Sequence, residues 1–411
     1  MRRFVLLAFL LHFVFGLKAQ SKFQIEKKYP SLFWEISGKG LRKTSFLFGT
    51  MHVSSKMAFN LSDSFYIAIR KADVVALETN PESWQEDMLE FNRSFQPESF
   101  EYRGDIGNKN APSDYLRSNT LKFRRYENLL EAALSSHPST INNLLYRAYS
   151  ERNVDFEEDT YLDLYIYQAG KKWRKKVVGV EHYAESMKLA MEAYADAMND
   201  KERKDRSFEP EDEFSYAKLQ EAYRNGNLDL LDTIGRVNSM SAAFDEKFLY
   251  RRNEIQASSI DSIIRSGSSL FVGVGAAHLP GGRGVIEMLR QLGYTLRPIK
   301  MGSRSSHYKD ELEGIKVPVQ FISQASTDGF YTVEAPGKLQ SLGNSVNGFH
   351  QVQYADMANG SYYTITRVQT NAASWGHDPA HVVRKVDSLL YENIPGKIIS
   401  KGTIVRNGYE G

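Results

Sequence analysis

Two histidines and two glutamates occupy positions from which they could share one reaction. Phe46-Leu47-Phe48 runs into Gly49-Thr50-Met51-His52, and Phe271-Val272-Gly273-Val274 runs into Gly275-Ala276-Ala277-His278. An apolar run, a glycine, two residues and a histidine therefore occur twice. Between the two copies, Val74-Val75-Ala76-Leu77 ends in Glu78 and Val177-Val178-Gly179-Val180 ends in Glu181. Neutral imidazole and carboxylate are the metal ligands open to a chain without thiols, and a mixed nitrogen and oxygen set suits zinc, manganese or cobalt. An ion held there would lower the pKa of a water and polarise a scissile carbonyl while a carboxylate moved the proton, which is metal-assisted hydrolysis. The glycine ahead of each histidine is expected to turn the backbone sharply off its strand, so that the ring points back over the sheet edge.

Each residue also has a plainer reading. A histidine after a strand is often a hydrogen-bonded turn residue, and only the repetition of the Gly-x-x-His pattern weighs against that here. A glutamate at a strand end is commonly a helix cap or a surface ion-pair partner, and Glu78, followed by Thr79-Asn80-Pro81-Glu82, could cap the next helix. The positions 52, 78, 181 and 278 lack the diagnostic spacing of an HExxH helix. His182, beside Glu181, is a secondary candidate. His137, His307, His350, His377 and His381 stand in polar or turn contexts and receive no role.

The elements that must carry these residues are short apolar strands alternating with long helical stretches. Ser45-Phe46-Leu47-Phe48, Val74 to Leu77, Val177 to Val180 and Ser269 to Val274 lack polar alternation, as strands covered on both faces do. Their carboxyl ends are where open α/β sheets place ligands. Helical spacing of apolar and charged residues marks 120–150, 161–175, 184–204 and 211–265. The run 198–213 is dense in charge and reads as a solvated helix end or linker. Residues 302–316 look like a connector. From Val317 onward, aromatic and β-branched residues alternate with polar ones between turn pairs such as Asp328-Gly329 and Asn359-Gly360, with one amphipathic helix expected at 381–393. The fold class expected is α/β, a mixed sheet with long helical insertions over 24–301, followed by a smaller β-rich α+β domain over 317–411 that stops soon after a strand-like run.

Composition sets the limits. The chain has 411 residues, 42% of them hydrophobic and none of them cysteine, which excludes disulfides, thiolate catalysis, Cys-ligated zinc and a lipoprotein anchor. Met1-Arg2-Arg3, the apolar run Phe4 to Leu17, and Lys18-Ala19-Gln20 read as an export leader cut after Ala19. The alternative is a retained anchor, for which the run falls short of the roughly 18 to 20 apolar residues a bilayer requires. Loss of Arg2, Arg3 and Lys18 takes three from the 52 basic side chains and leaves 49 against 50 acidic ones. A chain of that balance has no charge-driven case for nucleic acid. The expectation is an exported protein, periplasmic or secreted, without a transmembrane anchor after leader removal.

The order of segments Trp34-Glu35-Ile36, Leu47 to His52, Val75 to Glu78, Leu162-Asp163-Leu164, Val178 to Glu181, Arg252-Asn253 and Val272 to Gly281 (VGVGAAHLPG) resembles the TraB/GumN family, which includes the Tiki metalloproteases, over about residues 30–300. The resemblance implies a metal-dependent hydrolase, peptidase-like in the Tiki branch, on a fold related to erythromycin-esterase-like and ChaN-like proteins. It implies that His52 and His278 are the motif histidines, that Glu78 and Glu181 are the carboxylates, and that Arg252 and Asn253 form an element able to hold a substrate carboxylate or an oxyanion. Arg252 could equally be a structural ion pair. The chain departs from the family pattern at His182, where Thr is commoner, and at Val180, where Leu is usual.

Together these readings give a divalent-metal site (Mn, Co or Zn) of His52, Glu78, Glu181 and His278. Glu78, His52 and Arg252 would act in catalysis, Arg252 and Asn253 would bind substrate, and the motif glycines are Gly49 and Gly275. The substrate expected is a peptide or a small amide or ester. Two alternatives stand beside this: a metal-free esterase or amidase using a histidine as base, and a non-catalytic protein that sequesters a peptide.

Overall fold

The computed structural model describes residues 27–51, most of 61–91, 162–200, 215–300, 302–341, 349–368 and most of 399–410. His52, the expected helices at 120–150 and 381–393, and most of the charged run 198–213 lie outside the described residues.

The molecule is a mixed α/β structure built on a six-stranded sheet. Its strands are β1 (Phe33–Gly38), β2 (Ser45–Thr50), β3 (Val74–Leu77), β4 (Lys176–Gly179), β5 (Leu270–Gly275) and β6 (Tyr294–Pro298), in the spatial order β4-β3-β5-β2-β1-β6. The four strands read from unbroken apolar runs form the parallel part, with β5 between β2 and β3 and β4 at one edge. Every residue of β3 and β5 is buried, as expected of strands with helices over both faces.

Two further strands complete the sheet on the other side. β1 pairs antiparallel with β2 and also with β6. Their exposed positions, in FWEISG and YTLRP, break the apolar runs. A search for strands covered on both faces passes over such edges.

The helices α1 (Asp63–Lys71) and α2 (Leu162–Lys172) each lead into the start of the following strand. After β4 come α3 (Tyr183–Asn199), α4 (Tyr216–Arg224) and α5 (Leu228–Val237). A continuous helical run then passes from α6 (Ala242–Asp245) through a π turn (Glu246–Tyr250) into α7 (Arg251–Arg265). A 3₁₀ turn (Ala276–His278), α8 (Val285–Gln291) and α9 (Ser306–Gly314) follow.

The core is centred on aromatic rings. Phe48 and Phe65 meet edge to face at 5.0 Å, and Phe65 meets Phe271 at 5.3 Å with planes at 90°. Each is at most 1% exposed. Pairs of this geometry add about 0.5–1.5 kcal/mol beyond the area they bury.

Beyond β6 the described strands form small antiparallel sheets: β7 (Ile322–Ala325) with β8 (Thr332–Ala335), β9 (Gln340–Ser341) with β10 (Phe349–Asp356) and β11 (Ser361–Val368), and β12 (Val405–Arg406) with β13 (Tyr409–Glu410). Gln168 of α2 donates to the Met357 carbonyl at 3.0 Å, and Ala355, Met357 and Ala358 join the main core. Among the described residues no helix is long and apolar enough to cross a membrane.

Candidate functional site

Glu78, Glu181 and His278 converge at the carboxyl end of the parallel strands. Glu78 follows β3 directly and Glu181 stands two residues past β4. The pairing of these strands continues beyond their assigned ends: Val180 N–H donates to the Leu77 carbonyl at 2.8 Å, and Glu181 N–H donates to the Glu78 carbonyl at 2.7 Å. The two acidic residues are therefore held side by side by backbone bonds. His278 lies in the 3₁₀ turn after β5.

The turn that carries His278 packs against the end of β2, and Gly49 explains how. Gly49 is the penultimate residue of β2 and pairs with Val274. A Cβ at Gly49 would meet the Cα and Cβ of Ala276 and the Leu279 side chain at 3.2 Å each. Gly275 is the last residue of β5, with an ordinary φ of −51°. The glycines thus stand within strands. At Gly49 the missing side chain is needed for close approach of the two motif segments, not for an unusual turn.

Helix α7 supplies the remaining polar groups. Arg252 Nε donates to Glu181 Oε2 at 2.9 Å, and Arg252 Nη2 donates to Glu78 Oε2 at 2.7 Å, so one guanidinium bridges both acids. Gln256, one helical turn later, donates to the other Glu181 oxygen at 2.5 Å. Glu78 Oε1 accepts from the Gly275 N–H at 2.7 Å. The Arg252, Glu78 and Glu181 side chains are 10%, 13% and 1% exposed. Burial alone would lower the Arg252 pKa, but the two adjacent carboxylates more than offset it and hold the guanidinium firmly protonated.

Asn253 fixes the histidine. Its Nδ2 donates to the Arg283 carbonyl at 2.7 Å, which turns its Oδ1 toward His278 Nδ1, 2.6 Å away. An amide oxygen only accepts, so Nδ1 carries a proton and Nε2 is the ring nitrogen turned away from Asn253. That Nε2 lies 3.7 Å from Glu78 Oε1.

Four further residues, none assigned a role from sequence, bond to the segments that carry the site. Thr50 Oγ1 donates to Asp163 Oδ1 at 2.7 Å, both buried. Tyr223 of α4 donates to the Gly49 carbonyl at 3.0 Å, and complete burial, with Asp163 nearby, pushes its phenol well above the usual range. Gln256 was legible only as the i+4 neighbour of Arg252 on one helix face. His182 is exposed, as the extended residue before α3.

The described part of the site thus has one bridged pair of carboxylates and one oriented imidazole. Among the described residues no group of three or more His, Asp or Glu side chains is gathered so as to hold an ion. A model of the TraB/PrgY/gumN family matches residues 32–298. No curated protein and no solved structure matches the chain.

Proposed function

The chain belongs to the TraB/PrgY/gumN family, and from that premise we propose that residues 24–301 act as a divalent-metal-dependent hydrolase of the peptidase or amidase kind. The observation that carries this reading is the facing pair His278 Nε2 and Glu78 Oε1, 3.7 Å apart at the carboxyl end of the sheet. His278 and Glu78 would be two of the residues that hold the ion, and Asn253 fixes the orientation of the imidazole. His52, outside the described residues, is the third donor in this reading. Glu181, whose two oxygens accept from Arg252 and Gln256, serves as the anchor of Arg252 rather than as a ligand.

A bound divalent ion supplies Lewis acidity toward a carbonyl and acidifies water. The chain's own residues do the rest. Glu78, with one oxygen facing His278 Nε2, would serve as a ligand to that ion. Arg252 and the Gly275 N–H keep that carboxylate oriented, and Asn253 keeps His278 from rotating. Residues 317–411 form a second, β-rich α+β domain in this proposal, the catalytic fold is related to erythromycin-esterase-like and ChaN-like proteins, and the protein is exported.

The test is elemental analysis of protein purified without chelators, followed by calorimetric titration of the stripped protein with Mn, Co and Zn. Tight binding of one metal, weakened at least tenfold in His278→Ala and Glu78→Gln and accompanied by amide hydrolysis, is the expected result. Turnover without any metal response would instead favour a metal-free esterase or amidase in which His278 is the base. Full biological activity in a His52→Ala/His278→Ala variant would point to peptide sequestration.

A further inference from the structure

The end of the sheet opposite the candidate site is strongly basic, although the chain as a whole is close to neutral. Three helices end there, α1, α2 and α7, because each feeds the start of a parallel strand. The turn between β1 and β2 contributes Lys39, Arg42 and Lys43, and α1 closes with Arg70 and Lys71. Arg174, Lys175 and Lys176 join α2 to β4, and Arg265 closes α7. Eight of these nine are exposed and Lys175 is half-buried.

The anions that reach this end are fewer. Asp73 pairs with Lys43 at 2.8 Å, Asp261 pairs with Lys39 at 3.0 Å, and Glu311 of α9 pairs with Arg70 at 3.2 Å. Lys172, whose pKa burial lowers, has Glu313 as its charge partner. Nine cations against three anions leave six in excess. Cations commonly cluster at helix C-termini to offset the dipole, but three helix ends account for only about 1.5 charges. More than four remain among the described residues.

The face also has shape and an apolar component. A groove of about 400 Å³ runs between the β1–β2 turn and the α7–β5 turn, with Lys39, Arg42, Lys43 and Arg265 along it. Leu292, which caps α8 two residues before the groove's Tyr294, is 41% exposed. The one ring in the groove, Tyr294, lies under the Lys39 ammonium, 4.6 Å from its centroid. It is not available as a platform for stacked bases. A row of exposed cations with a partly exposed leucine on the adjoining turn is the mixture that suits an anionic lipid interface.

We propose that this face docks the protein on the surface of a membrane containing anionic phospholipid, with the candidate site turned away from the bilayer. The proposal stands independently of the chemistry at that site. It is tested by co-sedimentation of the full chain with vesicles of phosphatidylcholine mixed with phosphatidylglycerol and with vesicles of phosphatidylcholine alone. The variant Arg42→Glu/Lys71→Glu/Arg174→Glu/Lys176→Glu avoids the ion pairs of Lys39, Lys43 and Arg70. An unchanged unfolding midpoint checks its fold, and Arg42→Lys/Arg174→Lys serves as the charge-conserving control.

Expected are preferential binding to the anionic vesicles, loss of that binding at about 1 M salt, where the Debye length falls to about 3 Å, and at least about a hundredfold weaker binding by the reversal variant. The control should bind as the parent does. Equal binding to both vesicle types, or binding unmoved by charge reversal, would overturn the proposal. So would tighter binding to duplex DNA than to the anionic vesicles, which would reassign the face to nucleic acid.

Discussion

Replacing Arg252 by methionine separates the two roles its position allows. The guanidinium bridges Glu78 and Glu181 at 2.7 and 2.9 Å with all three side chains at most 13% exposed. Methionine preserves much of the volume but removes the guanidinium from two adjacent buried carboxylates. The described bonds from Gln256 and the Gly275 N–H carry no charge. Removing one member of a buried ion cluster costs about 3–5 kcal/mol. For a unit the size of residues 32–298, at about 2–4 °C per kcal/mol, that lowers the melting temperature by about 6–20 °C.

Arg252→Lys places a point charge that cannot serve both acids with one fork, so its cost should fall between methionine and the parent. Arg252→Met/Glu78→Gln/Glu181→Gln removes the charges together and should recover more than half of the loss. Urea unfolding followed by circular dichroism supplies these free energies from midpoint and slope. A methionine variant within about 1 kcal/mol of the parent would refute the ion-cluster argument. If that variant also showed a raised KM, Arg252 would be assigned to substrate binding.

Other consequences follow from the same geometry. Asn253→Ala frees the His278 ring, and metal affinity measured by calorimetry should drop about 10–100-fold, as for other groups that orient a ligand, alongside a stability loss of about 1–3 kcal/mol from the buried groups left unpaired. Gly49→Ala forces a Cβ to 3.2 Å from Ala276 and Leu279; a loss of about 1–3 kcal/mol in chemical denaturation is expected, the range for overpacking. The Lys43 ammonium, with bonds from Ser269, holds the Asp73 carboxyl down at about 2 against an ordinary value of 3.8. Its folded pKa is depressed, so its stabilisation is present above about pH 4 and fades as pH falls toward 2. With Asp73 40% exposed, the effect is under about 1 kcal/mol. Asp73→Asn should shrink the stability difference between pH 6 and pH 2.5 by that amount.

Much of this arrangement was legible in the sequence, and the reasons differ by residue. β2, β3, β4 and β5 announce themselves because burial on both faces demands unbroken apolar runs, and Glu78, Glu181 and His278 mark the ends of three of them. β1 and β6 escaped because one side of each remains partly wet and the apolar signal is diluted. Arg252 and Asn253 emerged only through the family resemblance, since nothing in the pattern of a charged amphipathic helix singles out its first turn. Asp163, Tyr223 and Gln256 are ordinary helical residues in sequence, and only the tertiary packing brings them beneath the motif glycine and beside Glu181. The role of Gly49 was misread for a related reason: a need for close approach cannot be told from a need for an unusual turn until the neighbouring segment, here Ala276, is known.

The pairing of β1 with β6 has a consequence for how the unit tolerates rearrangement. Trp34 lies opposite Pro298, Ser31 Oγ donates to the Ile299 carbonyl at 2.6 Å, and Ile299 N–H donates to the Phe33 carbonyl at 2.8 Å. The entrance and the exit of residues 32–298 are therefore zipped together, and neither margin can fray without pulling on the other. A circular permutant that joins them through a few flexible residues and reopens the chain in the exposed Gly38–Gly40 turn should keep the native sheet order.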